Sequence, residues 1–494
     1  MTTTDTFAPA LLGDQPGMLI GADWVRTPTT RPVENPATGR VFAGAPEGTV
    51  EHVDAAMAAA ADAQRRWARR SHPERAEVLA AVVGEIDRYA EELARIVVAE
   101  QGKTITEARG EVEGVKAFFD FAASHHKYRP VGELIAPTRP GETLAVREEP
   151  LGVIAAITPW NYPAAIVARK LGPALIAGNA VVLKPSETTP LSALAVARLC
   201  QLAGVPDGLV NIVTGPGRLI GNALVTHPRT SMVTVTGSTR AGREILTAAA
   251  PSIIPVSLEL GGKAPFLVFA DADLDLAVEH AVQARFWNCG QVCTCNERTY
   301  VHRSRYDEFV ARFVERAQAI RVGDPTDETA EMGPKVSAAE RDKVAEIVHR
   351  AQEQGAEVVL GGGRPTGDRF EDGHWFAPTV LAGATNDMDV VQQEVFGPVL
   401  PIVPFDDYAQ AIDYANSTVY GLTSYVFTGN LDTAMRATAD LQFGEVYVNK
   451  IGPEDVQGFH HGWKQSGLGG EDGEHGYQRY IQHKTVYLSY RAGS

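Results

Sequence analysis

The cysteines of this chain are concentrated in one segment. Cys289, Cys293 and Cys295 lie within seven residues, and only Cys200 lies apart. A thiol can attack carbon when its pKa is lowered, because the thiolate is the nucleophile. Cys293, which follows the predicted helix end at Gly290, is therefore a candidate nucleophile, although any single cysteine can instead be a buried structural residue. A zinc site fits poorly, because the Cys-x3-Cys-x-Cys spacing has no nearby histidine.

Two further segments carry polar side chains suited to carbonyl chemistry. Glu259 interrupts an apolar run immediately before two glycines. Burial raises a carboxyl pKa toward neutrality, which suits a general base that activates water; the alternative is a solvent-exposed glutamate on an edge strand. Asn161, in the segment 158–163, can donate its amide to a developing oxyanion or can simply occupy a turn between two prolines.

Loops after predicted strands carry features suited to a nucleotide. The loop at Gly237 opens a helix, so Ser238 and the first free backbone N–H groups can hold a phosphate. Lys184 and Glu187 follow another strand and can bind ribose hydroxyls or form a solvated pair. The glycines within 215–221 depart by one residue from the GxGxxG spacing and are weak support for a dinucleotide.

The elements that must position these residues form two series. From about residue 151, short apolar β-rich runs alternate with helical segments, which is typical of parallel strands buried on both faces. A second series begins near Lys263, and two amphipathic helices over 51–99 precede the first. The pattern predicts an α/β fold with a doubly wound sheet and two packed lobes. Residues 134–152 and 474–494 are predicted to form strands outside both series.

Composition and charge limit the function classes. The chain has 494 residues, 44% hydrophobic and 21% charged, as expected for a multi-domain globular protein. With 45 Lys+Arg against 61 Asp+Glu, the net charge of −16 provides no broad positive field for nucleic acid or an acidic membrane surface. No uninterrupted apolar run of membrane-spanning length and no signal-peptide pattern occurs. Together with the few cysteines, these features predict a cytoplasmic protein.

The motifs ITPWNYP, VVLKPSE, TGSTRAG, SLELGGK, FWNCGQVC and QEVFGP occur in an order that resembles the aldehyde dehydrogenase superfamily, from about residue 20 to the end. The resemblance implies an aldehyde dehydrogenase-like α/β fold. A Rossmann-type NAD-binding domain would span 1–133 and 153–261, and an α/β catalytic domain 262–473. A small β oligomerisation region would be formed by 134–152 and 474–494. The resemblance also implies a homo-oligomer, a dimer or tetramer, that acts on a small aldehyde.

The resemblance further implies a role for each matching residue. Cys293 would form a thiohemiacetal with the aldehyde and then, after hydride transfer to NAD, a thioester. Glu259 would activate the water that hydrolyses the thioester, Asn161 and the backbone N–H of Cys293 would stabilise the oxyanion, and Lys170 would relay protons. No metal is implied. The positions implied for the cofactor are Thr158, Trp160, Lys184, Ser186, Glu187, Gly237, Ser238, Glu394 and Phe396.

Two segments, GQVCTCNERTYV and QGFHHGWKQSGLGGEDGEHGYQRYIQ, are similar to the lactaldehyde and glycolaldehyde dehydrogenase group. This similarity implies that Arg169, Glu454 and His460 contact a short 2-hydroxyaldehyde. The sequence departs from the group at 451–453 and at His461. A semialdehyde, whose carboxylate would meet Arg169 and His460, and a broad range of aldehydes therefore stay as alternatives.

Two further expectations concern the cofactor and the reaction class. Glu187 predicts NAD in preference to NADP, because a carboxylate accepts hydrogen bonds from the ribose 2′-hydroxyl and repels a 2′-phosphate. Two other classes share this fold and these residues: a catalytically silent binding protein, and a cysteine hydrolase that acts on activated esters. A nicotinamide requirement for product formation separates the oxidoreductase from both.

Overall fold

The computed structural model describes residues 11–13 and 15–490; parts of the predicted first domain and of the last predicted strand (1–10, 14 and 491–494) lie outside the described residues. The α-helices are α1 Val50–Trp67, α2 His72–Gln101, α3 Ile105–His125, α4 Ala165–Ile176, α5 Leu191–Leu202, α6 Asn222–Thr226, α7 Thr239–Ala249, α8 Leu274–Phe286, α9 Tyr306–Gln318, α10 Ala338–Glu353, α11 Asp389–Gln392, α12 Tyr408–Asn416, α13 Leu431–Asp440 and α14 Gly473–Tyr477. The β-strands are β1 Met18–Ile20, β2 Asp23–Val25, β3 Thr30–Asn35, β4 Arg40–Pro46, β5 Gly132–Ile135, β6 Glu142–Pro150, β7 Val153–Ile157, β8 Ala180–Lys184, β9 Val210–Ile212, β10 Thr230–Thr236, β11 Val256–Glu259, β12 Ala264–Val268, β13 Asn296–His302, β14 Glu357–Leu360, β15 Thr379–Ala382, β16 Val399–Phe405, β17 Tyr420–Gly421, β18 Thr423–Phe427, β19 Glu445–Val448, β20 Trp463–Lys464, β21 Gly467–Leu468 and β22 Ile481–Ser489.

The first sheet has the strand order β2-β1-β9-β8-β7-β10-β11-β21. Its central strands, from β9 to β11, are parallel. They consist of the apolar runs that predicted them, and helices cover both faces, so nearly every side chain of β7 and β8 is buried. The doubly wound sheet is confirmed. One strand comes from outside the predicted range, since β21 pairs antiparallel with β11.

The second sheet has the order β14-β15-β16-β13-β12-β18-β19 and forms the second predicted lobe. Its strands are parallel except β14, which pairs antiparallel with β15. The chain passes directly from β11 of the first sheet to β12 of the second through residues 260–263. This short connection holds the carboxyl edge of the first sheet close to the amino ends of the second-sheet strands.

The two N-terminal helices form as predicted, and both separate segments contain strands, but the second prediction is wrong at its start: 473–477 form α14, 478–480 form a 3₁₀ turn, and β22 begins only at Ile481. Helix α2 begins at a capping box, in which Ser71 and Glu74 satisfy each other's backbone N–H groups, and ends at Gly102, whose φ of 91° favours glycine. Strands β5, β6 and β22 form a separate antiparallel sheet. The division into domains, and the role of this small sheet in assembly, stay predictions.

One helix boundary differs from the prediction. Helix α8 ends at Phe286 rather than at Gly290, and a short 3₁₀ turn continues over Trp287–Gly290. Asn288 and Cys289 have positive φ angles in this turn, and Gly290 follows with φ 68°. Because the chain changes direction here, the next residues enter the space between the two sheets instead of extending the helix.

Candidate active site

A cleft of about 1370 Å³ lies where the two sheets face each other. The carboxyl ends of β7, β8, β10 and β11 form one wall, as the rule for open α/β sheets predicts. All of the sequence-predicted site residues except Lys170 line it: Thr158, Trp160, Asn161, Arg169, Lys184, Ser186, Glu187, Gly237, Ser238, Glu259, Cys293, Glu394, Phe396, Glu454 and His460. The fold thus brings together side chains from distant parts of the chain.

Accessibility separates Cys293 from the other cysteines of its segment. Cys293 is half-buried and lines the cleft, whereas Cys289 and Cys295 are 1% and 3% exposed. Burial raises the pKa of both buried thiols to about 12. Burial also raises the pKa of Cys293, but hydrogen bonding and charge from His460 act in the opposite direction. Cys293 is therefore the thiol with both access to the cleft and a nearby group that favours its thiolate.

The glycines after Glu259 allow two groups of the site to approach the backbone. A Cβ at Gly262 would lie 2.3 Å from the carbonyl oxygen of Cys293, and a Cβ at Gly261 would lie 2.5 Å from a carboxylate oxygen of Glu394. The backbone N–H of Gly262 donates to Glu394 Oε1 at 2.9 Å. This segment therefore sets the positions of the thiol loop and of Glu394.

We expect Gly262→Ala to lower kcat/KM for aldehyde oxidation by about 10²-fold, the effect of a displacement of roughly 1 Å at a reacting group. The physical reason is the overlap of the new methyl group with the Cys293 carbonyl. Gly363→Ala is the control, since a Cβ at Gly363 meets no atom within 4 Å. Steady-state kinetics that leave Gly262→Ala as active as Gly363→Ala would contradict the proposed tight contact.

A buried polar network positions Asn161. Its Nδ2 donates to the carbonyl of Gln291 at 3.1 Å, which leaves the second amide hydrogen available to another acceptor. Its own carbonyl accepts from Lys103 Nζ and from Asn288 Nδ2, each at 3.0 Å. Lys103 in turn pairs with Glu111 at 2.6 Å, with both side chains fully buried. Helix α3 and the connection that precedes it therefore hold the candidate oxyanion donor in place.

Glu259 is buried at the end of β11, so the exposed edge-strand alternative is wrong. It is 3% exposed, and neither carboxylate oxygen has a hydrogen-bond partner among the described residues. Burial raises its pKa to about 8, although the nearby His460 opposes this shift. An unpaired buried carboxyl that faces a cleft requires a partner from water or ligand, and its pKa is close to that of an effective general base.

Arg169 and His460 line the part of the cleft that contains Cys293 and Glu259, and both are already paired with carboxylates. Arg169 Nη2 donates to Glu454 Oε1 at 2.8 Å, and its Nε donates to both oxygens of Asp472 at 2.9 and 3.0 Å. Glu471 Oε2 lies 3.7 Å from the same Nε. Burial alone would raise the pKa of Glu454, but the Arg169 charge lowers it to about 2.

His460 lies among three carboxylates. Its Nδ1 is 3.0 Å from Glu445 Oε1 and 3.9 Å from Glu454 Oε1, and its Nε2 is 3.7 Å from Glu259 Oε2. Burial lowers the pKa of His460, but the carboxylates, Glu445 above all, hold it well above its usual value. The imidazolium is therefore the favoured form, and it links the candidate nucleophile with the candidate base.

Lys170 lies beneath the cleft rather than in its lining. It is fully buried, donates to Thr234 Oγ1 at 3.0 Å and forms an ion pair with Glu471. Glu471 lines the cleft and has one oxygen, Oε2, without a hydrogen-bond partner among the described residues. Lys170 therefore reaches the cleft only through Glu471, and its expected role in proton relay stays a prediction.

The far end of the cleft has features of a dinucleotide site. Ser238 caps helix α7, whose first N–H groups face the cleft. The hydroxyl of Thr158 is buried without a hydrogen-bond partner among the described residues. Trp160 and Phe396 meet edge to face with ring centroids 5.3 Å apart. Burial raises the pKa of Glu394 to about 7.

The predicted ribose-binding pair has a third member. Glu187 accepts a hydrogen bond from the backbone of Gly217 at 2.6 Å and pairs with Arg31 at 2.9 Å. Burial lowers the pKa of Lys184 to about 8, and its Nζ donates to the carbonyl of Pro185 at 2.8 Å. The negative charge of Glu187 is therefore partly neutralised by a cation from β3. Ser186 Oγ accepts from the Thr188 backbone N–H at 3.2 Å.

Sequence reasoning missed five residues that hold the site together: Arg31, Lys103, Glu445, Glu471 and Asp472. Glu471 and Asp472 lie within the segment GGEDGEHG, which belongs to the stretch that resembles the hydroxyaldehyde group. The two adjacent acidic residues there could have indicated a charged site. Arg31, Lys103 and Glu445 lie in segments with no recognisable motif. Only the packing of β3, the α2–α3 connection and β19 against the cleft reveals them.

Comparison with known proteins agrees with this geometry. Residues 24–486 match the aldehyde dehydrogenase family. The chain is 58% identical over 480 residues to 3,6-anhydro-alpha-L-galactose dehydrogenase of Streptomyces coelicolor, covering 97% of each chain. It is 43% identical over 457 residues to lactaldehyde dehydrogenase of Escherichia coli, covering 92% of this chain and 94% of that protein.

A solved structure supports the same assignment. The structure of 3,6-anhydro-L-galactose dehydrogenase in complex with NAP superimposes with a TM-score of 0.93 at 44% identity, over 96% of this chain and 99% of that chain. The similarity covers both sheets and the cleft between them. This protein therefore belongs to the aldehyde dehydrogenase family, the oxidoreductases that act on aldehydes with a nicotinamide cofactor.

Proposed function

We propose that this protein oxidises 2-hydroxyaldehydes to carboxylic acids with NAD, through a covalent intermediate on Cys293. The observation that carries the proposal is the convergence of three groups on one cleft: the accessible Cys293 thiol, the unpaired buried carboxyl of Glu259 and the held amide of Asn161. These are the nucleophile, base and oxyanion donor that aldehyde oxidation through a thioester requires.

The residues act in two stages. The Cys293 thiolate attacks the aldehyde carbon, and the free amide hydrogen of Asn161, with the backbone N–H of Cys293, stabilises the resulting oxyanion of the thiohemiacetal. Thr158, Glu394 and Phe396, which line the cleft, would help to hold the nicotinamide cofactor, whose chemistry would be to accept the hydride that leaves this adduct as a thioester. Glu259 then removes a proton from water, which attacks the thioester carbon and releases the acid and the thiol.

Lys170 and Glu471 complete the proton path in this proposal. Glu471 lies between the buried ammonium of Lys170 and the cleft, with one unpaired carboxylate oxygen. A proton accepted by Glu259 can pass to solvent along water that hydrogen-bonds to this oxygen, because the charge of Lys170 keeps Glu471 an ionised acceptor: burial would raise the pKa of Glu471, but Lys170 lowers it below the usual value. Lys170 is therefore a positioning residue.

The charges around Arg169 and His460 favour a neutral substrate over a semialdehyde, which carries a carboxylate. The cations Arg169, Lys170 and His460 are surrounded by acidic side chains and already form ion pairs with them. The acidic side chains are Glu259, Glu445, Glu454, Glu471 and Asp472. A substrate carboxylate would have to displace one of them at a large desolvation cost. A hydroxyl group, by contrast, can donate to Glu454 and accept from His460 without displacing a charge.

Both small and larger 2-hydroxyaldehydes fit this proposal. Lactaldehyde and the open aldehyde form of 3,6-anhydro-L-galactose, after which two of the compared proteins are named, each carry a hydroxyl next to the aldehyde carbon. The decisive experiment is NADH formation, followed by absorbance, with 3,6-anhydro-L-galactose, lactaldehyde, propanal and succinic semialdehyde. We expect the two hydroxyaldehydes to give the highest kcat/KM, by about tenfold or more. A higher value for propanal or the semialdehyde would contradict the proposal.

We expect Glu454→Gln to lower kcat/KM for lactaldehyde much more than for propanal, which lacks the hydroxyl. Removal of a charged acceptor for that hydroxyl costs about 1.5–3 kcal/mol, or roughly 10–100-fold. Asp455→Asn is the matched control, because Asp455 is the exposed neighbour and does not line the cleft. Equal losses of kcat/KM for both aldehydes would mean that Glu454 does not bind the hydroxyl. His460→Ala is less selective, because His460 also affects the Cys293 thiol.

We expect NAD to be preferred to NADP, and Glu187→Gln to reduce the preference about tenfold, because it removes the charge that repels a 2′-phosphate. Arg31 would then face the phosphate without the Glu187 carboxylate beside it. Glu47→Gln is the control: Glu47 also pairs with Arg31, at 3.4 Å, but does not line the cleft. The ratio of kcat/KM with NAD to kcat/KM with NADP measures this preference. If Glu187→Gln leaves the ratio unchanged, the assignment of Glu187 is contradicted.

We also propose that the sheet of β5, β6 and β22 joins copies of the chain. Its strands expose the large apolar side chains of Leu134, Tyr487 and Leu488, at 82%, 79% and 56%, and such exposed groups on neighbouring strands mark protein contacts. Light scattering coupled to size exclusion measures the oligomer.

Among the described residues, no helix is both long and apolar enough to span a membrane.

A further inference from the structure

A second cluster of polar side chains lies outside the cleft, where the end of α3 meets the start of α14. His125 and His126 close α3, and Glu474 lies in the first turn of α14. One potential ligand atom from each of the three residues lies within 4.8 Å of the other two. None of the three lines the cleft or takes part in the chemistry described above.

An independent feature of the cluster points to a ligand. His126 is 1% exposed, and its Nδ1 has no hydrogen-bond partner among the described residues. This nitrogen faces Glu474 Oε2 at 3.9 Å, too far for a hydrogen bond. A buried polar atom without a partner is costly unless a missing group satisfies it. An ion between the nitrogen and the carboxylate would do so.

The surroundings fix the two inner ligands and leave the third free. The ring of His126 stacks on Tyr477 with centroids 4.4 Å apart. Arg129 forms an ion pair with Glu474 through Oε1, so that Oε2 is directed toward His126. His125 is exposed and stacks on Phe121 at 4.6 Å. It can rotate to close the site, and solvent can supply the remaining ligands.

We propose that His125, His126 and Glu474 bind one divalent transition-metal ion of the zinc class. Two imidazoles and one carboxylate are the ligands that zinc accepts, with Zn–N and Zn–O distances of about 2.0–2.2 Å. Around a tetrahedral ion with such bonds the ligand atoms lie roughly 3.3–3.6 Å apart, so the present separations, which reach 4.8 Å, must shorten by up to about 1.5 Å, mainly through movement of the exposed His125. Arg129 then acts on the outer side of Glu474, where it orients the carboxylate.

The electrostatic setting agrees with metal binding rather than with a charged imidazole. Burial above all, together with the charges of the neighbouring His125, Arg129 and His72, lowers the pKa of His126 to about 3. His126 is therefore neutral at physiological pH, with a lone pair available for a metal. The bound ion would connect α3 to α14 and would stabilise their junction. This junction lies close to the candidate active site along the chain, because Glu474 is three residues after Glu471.

The test uses the full-length protein with Cys293→Ala, so that the accessible thiol of the cleft cannot bind metal. After treatment with a chelator, we expect isothermal titration with zinc chloride to give one saturable site per chain. Cobalt(II) should give visible absorption bands of nitrogen and oxygen ligands without a thiolate charge-transfer band. Zinc should raise the Tm, because an ion that binds only the folded state stabilises it.

His125→Ala and Glu474→Gln should each weaken zinc binding by at least the roughly 10–100-fold that loss of an outer-shell group costs. His125 is exposed, so its replacement leaves the core intact. The control is His349→Ala, because His349 is an exposed histidine 3.5 Å from Glu353 without a third ligand. The absence of a saturable site in the parent, unchanged affinity in His125→Ala, or an equal loss in His349→Ala would each overturn the proposal.

Discussion

Replacement of Cys293 by alanine is expected to abolish aldehyde oxidation, with a loss of about 10⁴-fold or more in kcat, as for other enzymes that lose their nucleophile. The reason is that covalent capture of the aldehyde requires a thiolate beside both the oxyanion donors and the cofactor site. Cys293 alone among the three clustered thiols is both accessible and next to a cation. NADH formation at saturating aldehyde and cofactor measures the effect.

The other cysteines provide the control. Cys289→Ser and Cys295→Ser should keep most of the activity, because both thiols are buried and burial raises the pKa of each to about 12. Circular dichroism and Tm confirm that each variant folds. An inactive Cys295→Ser variant together with an active Cys293→Ala variant would mean that the assigned nucleophile is wrong.

Glu259→Gln is expected to separate the two stages of the reaction. A general base contributes about 10²–10⁴-fold to the step that it assists, so hydrolysis of the thioester should slow by that factor while its formation continues. The variant should therefore release one NADH per active site in a rapid burst, followed by slow turnover. Stopped-flow absorbance measures both phases, and Glu244→Gln, an exposed glutamate on α7, is the control.

The pH dependence gives an independent check on Glu259. Because burial raises its pKa to about 8, the ionised base accumulates as pH increases, and hydrolysis of the thioester in the wild-type enzyme should accelerate through pH about 8 and level off roughly one pH unit above it. In Glu259→Gln this limb of the slow phase should be absent. The burst phase should retain its own rise with pH, because burial also raises the pKa of Cys293. A missing burst in Glu259→Gln would instead show that Glu259 activates the thiol.

The fold and the position of the site could be predicted from the sequence because both depend on local patterns. Continuous apolar runs specify strands buried on both faces, and in a doubly wound sheet the carboxyl ends of such strands must meet. Glu259, Asn161 and Gly237 each follow such a run, and so they converge on one cleft. The segment FWNCGQVC likewise indicated Cys293 as the candidate nucleophile, and of the three clustered thiols only Cys293 is accessible.

Only the tertiary structure decided the electrostatic state of the site. The resemblance implied that Arg169 and His460 contact the substrate. Nothing in the sequence indicated that Glu445 and Asp472, from distant elements, pair with them. Likewise, no local pattern showed that Glu259 is buried without a hydrogen-bond partner or that Arg31 faces Glu187. Charge balance and desolvation depend on all the groups within a few ångströms, whatever their separation along the chain. Substrate choice therefore depends on contacts that form only when the two sheets pack together.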